Sequence, residues 1–109
     1  MANESIWVVD DDRSIRWVLE QALTQADMNV KTFENAADVL SSLKSSQPDA
    51  LISDIRMPGI DGLELLSKIH TLHPDLPVII ITAHSDLDSA VSAYQGGAFE
   101  YLPKPFDVD

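Results

Sequence analysis

Short runs of apolar residues alternate along the chain with longer stretches whose apolar residues recur at helical spacing. Three runs, residues 6–9, 50–52 and 78–81, are continuous, which is typical of strands buried on both faces of a parallel sheet. Residues 29–33 and 100–102 predict two further strands. Between the strands, one-sided apolar stripes predict amphipathic helices. The stripes of the first three helices comprise Ile15, Val18, Leu19, Ala22, Leu23 and Ala26, then Val39, Leu40 and Leu43, and then Leu63, Leu66, Ile69 and Leu72.

Capping residues bound the predicted helices. A capping side chain stands three positions before an acid at three helix starts: Asn35 and Asp38, Asp61 and Glu64, and Ser85 and Asp88. Such a pair satisfies free N–H groups and suits the helix dipole. Proline or glycine follows the helical segments, where a helix cannot continue. The order β-α-β-α-β-α-β-α-β with short connections predicts a doubly wound α/β fold around a five-stranded parallel sheet.

The length and composition predict one domain. A chain of 109 residues, 45% of them hydrophobic, forms a single unit over residues 1–109. The lack of cysteine excludes disulfides and thiolate metal sites and fits a reducing compartment. No apolar run approaches the roughly 20 residues that span a bilayer, so we expect a cytoplasmic protein. Few residues follow the fifth strand, so the expected fifth helix is missing. We favour truncation over cover of that sheet face by another chain.

The charge balance limits the partners. Seven basic residues stand against eighteen acidic ones, for a formal charge of −11. Nucleic-acid binding needs clustered lysine and arginine to release counterions, and here the basic residues are scattered. We therefore expect no direct nucleic-acid binding and no membrane association. The negative electrostatic field of this chain favours binding of a cation, or of a partner with a basic or apolar face.

Polar residues gather at the carboxyl ends of the predicted strands. Residues 10–12 are aspartates after the first strand, Asp54 ends the third, Thr82 ends the fourth and Lys104 follows the fifth. In an open parallel sheet, ligands bind at this edge. Two carboxylates about 5 Å apart repel by roughly 3 kcal/mol at an effective dielectric near 20. Mg²⁺, held by carboxylates, water and phosphate oxygens, offsets that repulsion and is the predicted cofactor.

These residue types favour phosphoryl transfer. Beside a metal, one carboxylate can attack a phosphoryl group and become an aspartyl phosphate. The outer phosphoryl oxygens need an ammonium and a hydroxyl donor, which Lys104 and Thr82 supply. The aspartates at 10–12 alone fit a solvated, capped turn equally well, and Asp54 at a second strand end favours the metal site. Gly59 and Gly62 belong to no phosphate-binding fingerprint, so nucleotide binding has no support.

Together, these motifs resemble those of two-component response-regulator receiver domains. Residues 10–11 resemble the acidic pair, Asp54 in Ser-Asp-Ile-Arg-Met-Pro-Gly the phosphoacceptor, and Thr82 the switch threonine. Lys104, followed by Pro-Phe, resembles the family's lysine. The resemblance covers residues 6–106 and is strongest to nitrogen-regulatory response regulators of the NtrC type. It implies the flavodoxin-like receiver fold.

The resemblance also implies a role for each matched position. Asp54 would accept a phosphoryl group from the phosphohistidine of a sensor histidine kinase. Asp11 would bind Mg²⁺ directly and Asp10 largely through water, together with Asp54 and the main-chain carbonyl of Arg56. Asp12 leaves the register of the acidic pair ambiguous by one residue, although the spacing to the following helix favours Asp10 and Asp11.

The resemblance further implies that the domain switches between two conformations. The Thr82 hydroxyl would move toward the phosphoryl group and Tyr101 would turn into the vacated space, while residues 85–95 repack. The domain would be regulatory, catalysing only its own phosphorylation and dephosphorylation. Downstream ATPase and DNA-binding domains would carry the transcriptional output, with homodimerisation on phosphorylation.

Two other functions are open on the same residues. A metal-dependent phosphohydrolase resembling haloacid-dehalogenase enzymes would use Asp10 as nucleophile after the first strand, with phosphate on Asp10 rather than Asp54. It also needs further acids on a structured loop after its lysine, and we expect none because few residues follow Lys104. A flavodoxin-like binding module without phosphotransfer is disfavoured, because three acids at the first strand end would repel a flavin phosphate.

Overall fold

The computed structural model describes residues 4–55, 59–82 and 100–103, with the main chain alone at residues 82 and 100–103. Its elements are β1 (Ser5–Val9), α1 (Arg13–Gln25), β2 (Asn29–Phe33), α2 (Ala36–Ser42), β3 (Ala50–Asp54), α3 (Gly62–Leu72), β4 (Val78–Thr82) and β5 (Glu100–Pro103). The five predicted strands and the first three predicted helices are confirmed. The predicted fourth helix, residues 85–95, lies outside the described residues.

All strand pairs in the sheet are parallel, in the order β2-β1-β3-β4-β5. The chain runs outward from β1 to β2 and then returns past β1 to β3. The strand order therefore reverses between β1 and β3, at the centre of the sheet. Such a switch point is where open α/β sheets bind ligands, outside the carboxyl ends of the strands.

Helices lie on both faces of the sheet, and successive strand residues point alternately to the two faces. Between the sheet and helices α2 and α3, the buried residues include Trp7, Val9 and Leu51 of the strands and Leu65 and Ile69 of α3. Those of the other face are Ile6, Val8, Ile52 and Ile81, against which Ile15, Leu19 and Leu23 of α1 pack while only partly buried. The continuous apolar runs of β1 and β3 follow from this two-sided cover.

Helix starts are capped by side chains, as two of the sequence pairs predict. Asn35 Oδ1 accepts from the Asp38 N–H, and Asp61 Oδ1 accepts from the Glu64 N–H, each at 2.9 Å. Such a cap contributes about 1 kcal/mol to helix stability. Of the helices that the structure describes, none is both long and apolar enough to cross a membrane.

Candidate functional site

Three aspartates meet at the switch point between β1 and β3. Asp10, Asp11 and Asp54 each place one carboxylate oxygen within 4.8 Å of the others. The strand register explains the meeting: Val9 pairs with Ser53, so the next residues, Asp10 and Asp54, lie side by side at the carboxyl ends of β1 and β3. Asp10 and Asp54 are buried, with 0% and 6% of their surfaces exposed, whereas Asp11 is exposed. The predicted acidic cluster therefore forms, with one member open to solvent.

The donor chemistry of this cluster fits Mg²⁺. At separations of about 5 Å, roughly 3 kcal/mol of repulsion acts between each pair of carboxylates at an effective dielectric near 20. A hard divalent cation removes that cost, and carboxylate oxygens are the ligands it prefers. Asp11 gives the cluster an open side, which suits a cation that keeps several waters and binds substrate oxygens.

The loop from β1 to α1 holds Asp10 through its main chain and its side chain. The Asp10 N–H donates to the Phe33 carbonyl at 3.2 Å, and Asp10 Oδ1 accepts from the Asp12 N–H at 2.8 Å. The Asp10 carbonyl accepts from Arg16 Nη1 at 2.6 Å. These bonds fix the backbone from which Asp10 and Asp11 project.

Asp12 has a different task from its two neighbours. Its carboxylate accepts from the Ser14 N–H at 2.8 Å and caps α1. Asp10 and Asp11 belong to the three-carboxylate cluster, while Asp12 lies outside it. Of the three consecutive aspartates, Asp10 and Asp11 therefore lie beside Asp54, while Asp12 caps the helix.

Asp54 is oriented by the chain that follows it. The Ile55 N–H donates to Asp54 Oδ1 at 2.8 Å, which sets the plane of the carboxylate. Buried Ser53 donates from Oγ to the Asp54 carbonyl at 2.9 Å. The Gly62 N–H donates to the Ile55 carbonyl at 2.7 Å, so the first residue of α3 is bonded to the end of β3.

Gly62 also lies unusually close to this strand end. A β-carbon at residue 62 would overlap the Asp54 carbonyl oxygen and would lie 2.8 Å from the Ile55 Cα. Both obstacles belong to the main chain, so neither can rotate away. Glycine is therefore required for α3 to begin against Asp54, a role that sequence patterns alone did not indicate.

The remaining predicted site residues are described only in part. The main chain of Thr82 ends β4, one position beyond Ile81, which pairs with Asp54. That of Tyr101 lies in β5, paired with Ile80. Both strands therefore end at the acidic edge of the sheet. The side chains of Thr82 and Tyr101 lie outside the described residues, as do the whole of Arg56 and Lys104.

A doubly wound parallel sheet with an acidic cluster at its switch point is a combination that defines one class of protein. Comparison with family models identifies that class. The model of the response regulator receiver domain matches residues 6–109, and the chain belongs to that family. The predicted resemblance is confirmed. The chain is a regulatory domain of two-component signalling, and phosphorylation on an aspartate is the general function of this family.

Two curated relatives show which members of the family the chain resembles. The chain is 69% identical over 104 residues to the DNA-binding transcriptional regulator NtrC of Escherichia coli (strain K12), covering 95% of this chain and 22% of that protein. It is 44% identical over 108 residues to the C4-dicarboxylate transport regulatory protein DctD of Rhizobium meliloti, covering 99% of this chain and 24% of that protein. The chain thus spans about a quarter or less of these curated relatives.

Solved structures agree with the fold. The BeF3-activated receiver domain of nitrogen regulatory protein C matches with a TM-score of 0.81 at 66% identity, covering 98% of this chain and 86% of that one. The receiver domain of NtrX from Brucella abortus matches with a TM-score of 0.89 at 36% identity, covering 94% and 87%. The predicted flavodoxin-like receiver fold is therefore confirmed.

Proposed function

We propose that the chain accepts a phosphoryl group on Asp54 from the phosphohistidine of a sensor histidine kinase, in a reaction that requires Mg²⁺. The observation that carries this proposal is the meeting of Asp10, Asp11 and Asp54 within 4.8 Å. Two acids beside a nucleophilic third are what a cation-assisted transfer to a carboxylate needs. The match to the receiver family supports the same assignment.

In the transfer, an oxygen of Asp54 attacks phosphorus and forms a new P–O bond. The bond from phosphorus to the histidine nitrogen breaks, and the nitrogen keeps the electron pair. Asp54 has its carboxylate plane set by the Ile55 N–H, which reduces the rotational freedom lost on reaching the transition state. When bound, Mg²⁺ supplies charge neutralisation to the transferring oxygens.

Asp10 and Asp11 are the proposed metal ligands from the loop after β1, joined by Asp54 and the main-chain carbonyl of Arg56. The family resemblance implies that Asp11 would bind the cation directly and Asp10 largely through water. Asp10 is buried and hydrogen-bonded within its loop, so it would act as a fixed acid. Asp11 is exposed, so it could exchange solvent for metal with little rearrangement.

Thr82 and Lys104 complete the proposed site at the ends of β4 and β5. Both strands end at the same edge as β1 and β3, because all four are parallel. A hydroxyl and an ammonium at that edge would donate to the phosphoryl oxygens and stabilise the charge that develops on them. Catalysis is limited to the domain's own phosphorylation and the later hydrolysis of the acyl phosphate.

The proposed output is a population shift between two conformations. Phosphorylation would draw the Thr82 hydroxyl toward Asp54 and allow Tyr101 to turn inward. NtrC and DctD are transcriptional regulators several times longer than this chain, and NtrC is named as DNA-binding, which supports attached output domains as the recipients of the signal. The family resemblance implies that these are an ATPase domain and a DNA-binding domain. Homodimerisation on phosphorylation is part of the same proposal.

The test is labelling by acetyl phosphate in MgCl₂, followed by mapping of the modified residue by mass spectrometry. Wild type should carry one phosphoryl group on Asp54, and Asp54→Asn should carry none. Asp12→Asn is the matched control, since asparagine caps a helix as well as aspartate does, and it should be labelled normally. Full labelling of Asp54→Asn, or phosphate mapped to Asp10, would refute the assignment. Phosphate on Asp10 would favour the phosphohydrolase alternative.

A further inference from the structure

Arg16 reaches back from α1 to the loop that carries two of the acids. It lies on the first turn of the helix and is half-buried. Its Nη1 donates to the Asp10 carbonyl at 2.6 Å, across six residues of chain. A charge-assisted bond of this kind is short and strong compared with neutral hydrogen bonds. The guanidinium thus ties the helix to the Asp10–Asp11 peptide.

The position of Asp11 depends on this tie. On one side, Asp10 is held at its N–H, its carboxylate and its carbonyl. On the other side, Asp12 caps α1 through the Ser14 N–H. Arg16 holds the peptide group that joins Asp10 to Asp11, so it governs the direction in which the exposed Asp11 carboxylate leaves the loop.

We infer that Arg16 is a positioning residue for the cation site: it fixes the Asp10–Asp11 peptide so that both carboxylates are held ready for Mg²⁺. The inference rests on the proposed function and adds a residue to it. Groups that orient metal ligands without touching the metal commonly contribute about 10–100-fold to metal affinity. Nothing in the sequence motif separates this role from an ordinary surface arginine.

Charge and positioning predict opposite results when Arg16 is removed. The guanidinium is always charged, and a positive charge near a divalent cation repels it. If Arg16 acted through charge alone, its neutral replacement would bind Mg²⁺ more tightly. If Arg16 acts by holding the Asp10 carbonyl, the same replacement loses affinity because the carboxylates are no longer held. The sign of the change therefore distinguishes the two.

The experiment measures Mg²⁺ affinity by isothermal titration calorimetry on wild type, Arg16→Gln, Arg16→Lys and Arg13→Gln. Arg13 is exposed on the same helix, so Arg13→Gln calibrates the loss of one charge. We expect Arg13→Gln to bind as wild type or slightly more tightly, and Arg16→Gln about tenfold more weakly. Arg16→Lys keeps the charge and N–H donors but loses the planar guanidinium, so its Mg²⁺ affinity should fall between those of wild type and Arg16→Gln. Binding by Arg16→Gln as tight as that of Arg13→Gln would overturn the inference.

Two further measurements separate the explanations. Circular dichroism and thermal melting without metal show whether each variant folds, and if Arg16→Gln does not, Arg16→Lys decides alone: unchanged affinity overturns the inference. The labelling rate of Arg16→Gln with acetyl phosphate should recover at saturating Mg²⁺, because the variant lacks affinity rather than a reacting group. Wild type that fails to bind Mg²⁺ would refute the proposed function. Wild type that binds while the Arg16 variants bind equally well would refute only this inference.

Discussion

Gly62 and Asp54 touch through their main chains. The first residue of α3 lies so close to the last residue of β3 that a β-carbon at position 62 would overlap the Asp54 carbonyl oxygen. The Gly62 N–H also bonds to the neighbouring Ile55 carbonyl at 2.7 Å. The proposed phosphoacceptor is therefore positioned by a helix start as well as by the sheet.

Gly62→Ala should damage both stability and phosphorylation. The added methyl group must displace main chain, which costs about 1–3 kcal/mol as overpacking does, and the displacement falls on Asp54. We expect a lower urea midpoint and a slower labelling rate per folded molecule. Gly59→Ala is the control: its β-carbon meets no atom within 4 Å, although φ is +78°, so it should cost about 1–2 kcal/mol through conformation alone. Equal labelling rates for the two folded variants would show that the close approach has no functional role.

Asp11→Asn and Asp12→Ala should separate the metal site from the helix cap. Asp11→Asn removes an exposed carboxylate of the cluster, so Mg²⁺ affinity should fall, while metal-free stability should not fall because repulsion between carboxylates is relieved. Asp12→Ala removes the cap on α1, which costs about 1 kcal/mol, and should leave Mg²⁺ affinity within about twofold. Calorimetric titration and urea unfolding give the two quantities. The reverse pattern would make Asp12, and not Asp11, the metal ligand that follows Asp10.

Mg²⁺ alone should stabilise the folded domain. A cation that binds only the folded state adds about 1.4 kcal/mol to the free energy of unfolding at ten times its dissociation constant, and the melting temperature should rise accordingly. NaCl at matched ionic strength controls for screening of the −11 charge. The increment should be absent in Asp54→Asn. A rise that NaCl reproduces in full would exclude a specific site.

The two tryptophans should respond differently to truncation. Trp7 is 4% exposed and its ring centroid lies 5.1 Å from that of Phe33, so Trp7→Ala should cost about 3–5 kcal/mol. Trp17 is 61% exposed on α1, and Trp17→Ala should change the free energy of unfolding by less than about 1 kcal/mol. Urea unfolding measures both, with circular dichroism as the probe. Similar losses would mean that Trp17 is buried in solution.

Much of this arrangement could be predicted from the chain alone. The continuous run ending at Val9 and the strand ending at Asp54 are apolar on both faces, which marks a buried parallel sheet. The acids that follow such strands must meet at one edge, so the cluster of Asp10, Asp11 and Asp54 follows from strand pattern and topology together. The helix caps at Asn35 and Asp61 could also be predicted, because each cap joins residues only three positions apart in the sequence.

The features that could not be predicted from the sequence depend on distances between separate helices, strands and loops. Arg16 bonds to a main-chain carbonyl, and any residue offers a carbonyl, so no residue type marks the partner. Gly62 is required by the approach of α3 to Asp54, which no turn pattern reveals. Asp12 could have been a ligand or a cap, because an aspartate serves both tasks and only the geometry of the loop decides between them.

The acidic cluster depends on the register of the sheet, because the pairing of Val9 with Ser53 brings the following aspartates together. A slip of one residue between β1 and β3 would turn every side chain of the slipped strand to the opposite face, and the three acids would no longer converge. A form of the domain in which β1 and β3 are not paired in this register should therefore not accept a phosphoryl group. When the domain is heated or treated with denaturant, its capacity to be phosphorylated should be lost in one cooperative step. The midpoint of that loss should equal the midpoint of unfolding.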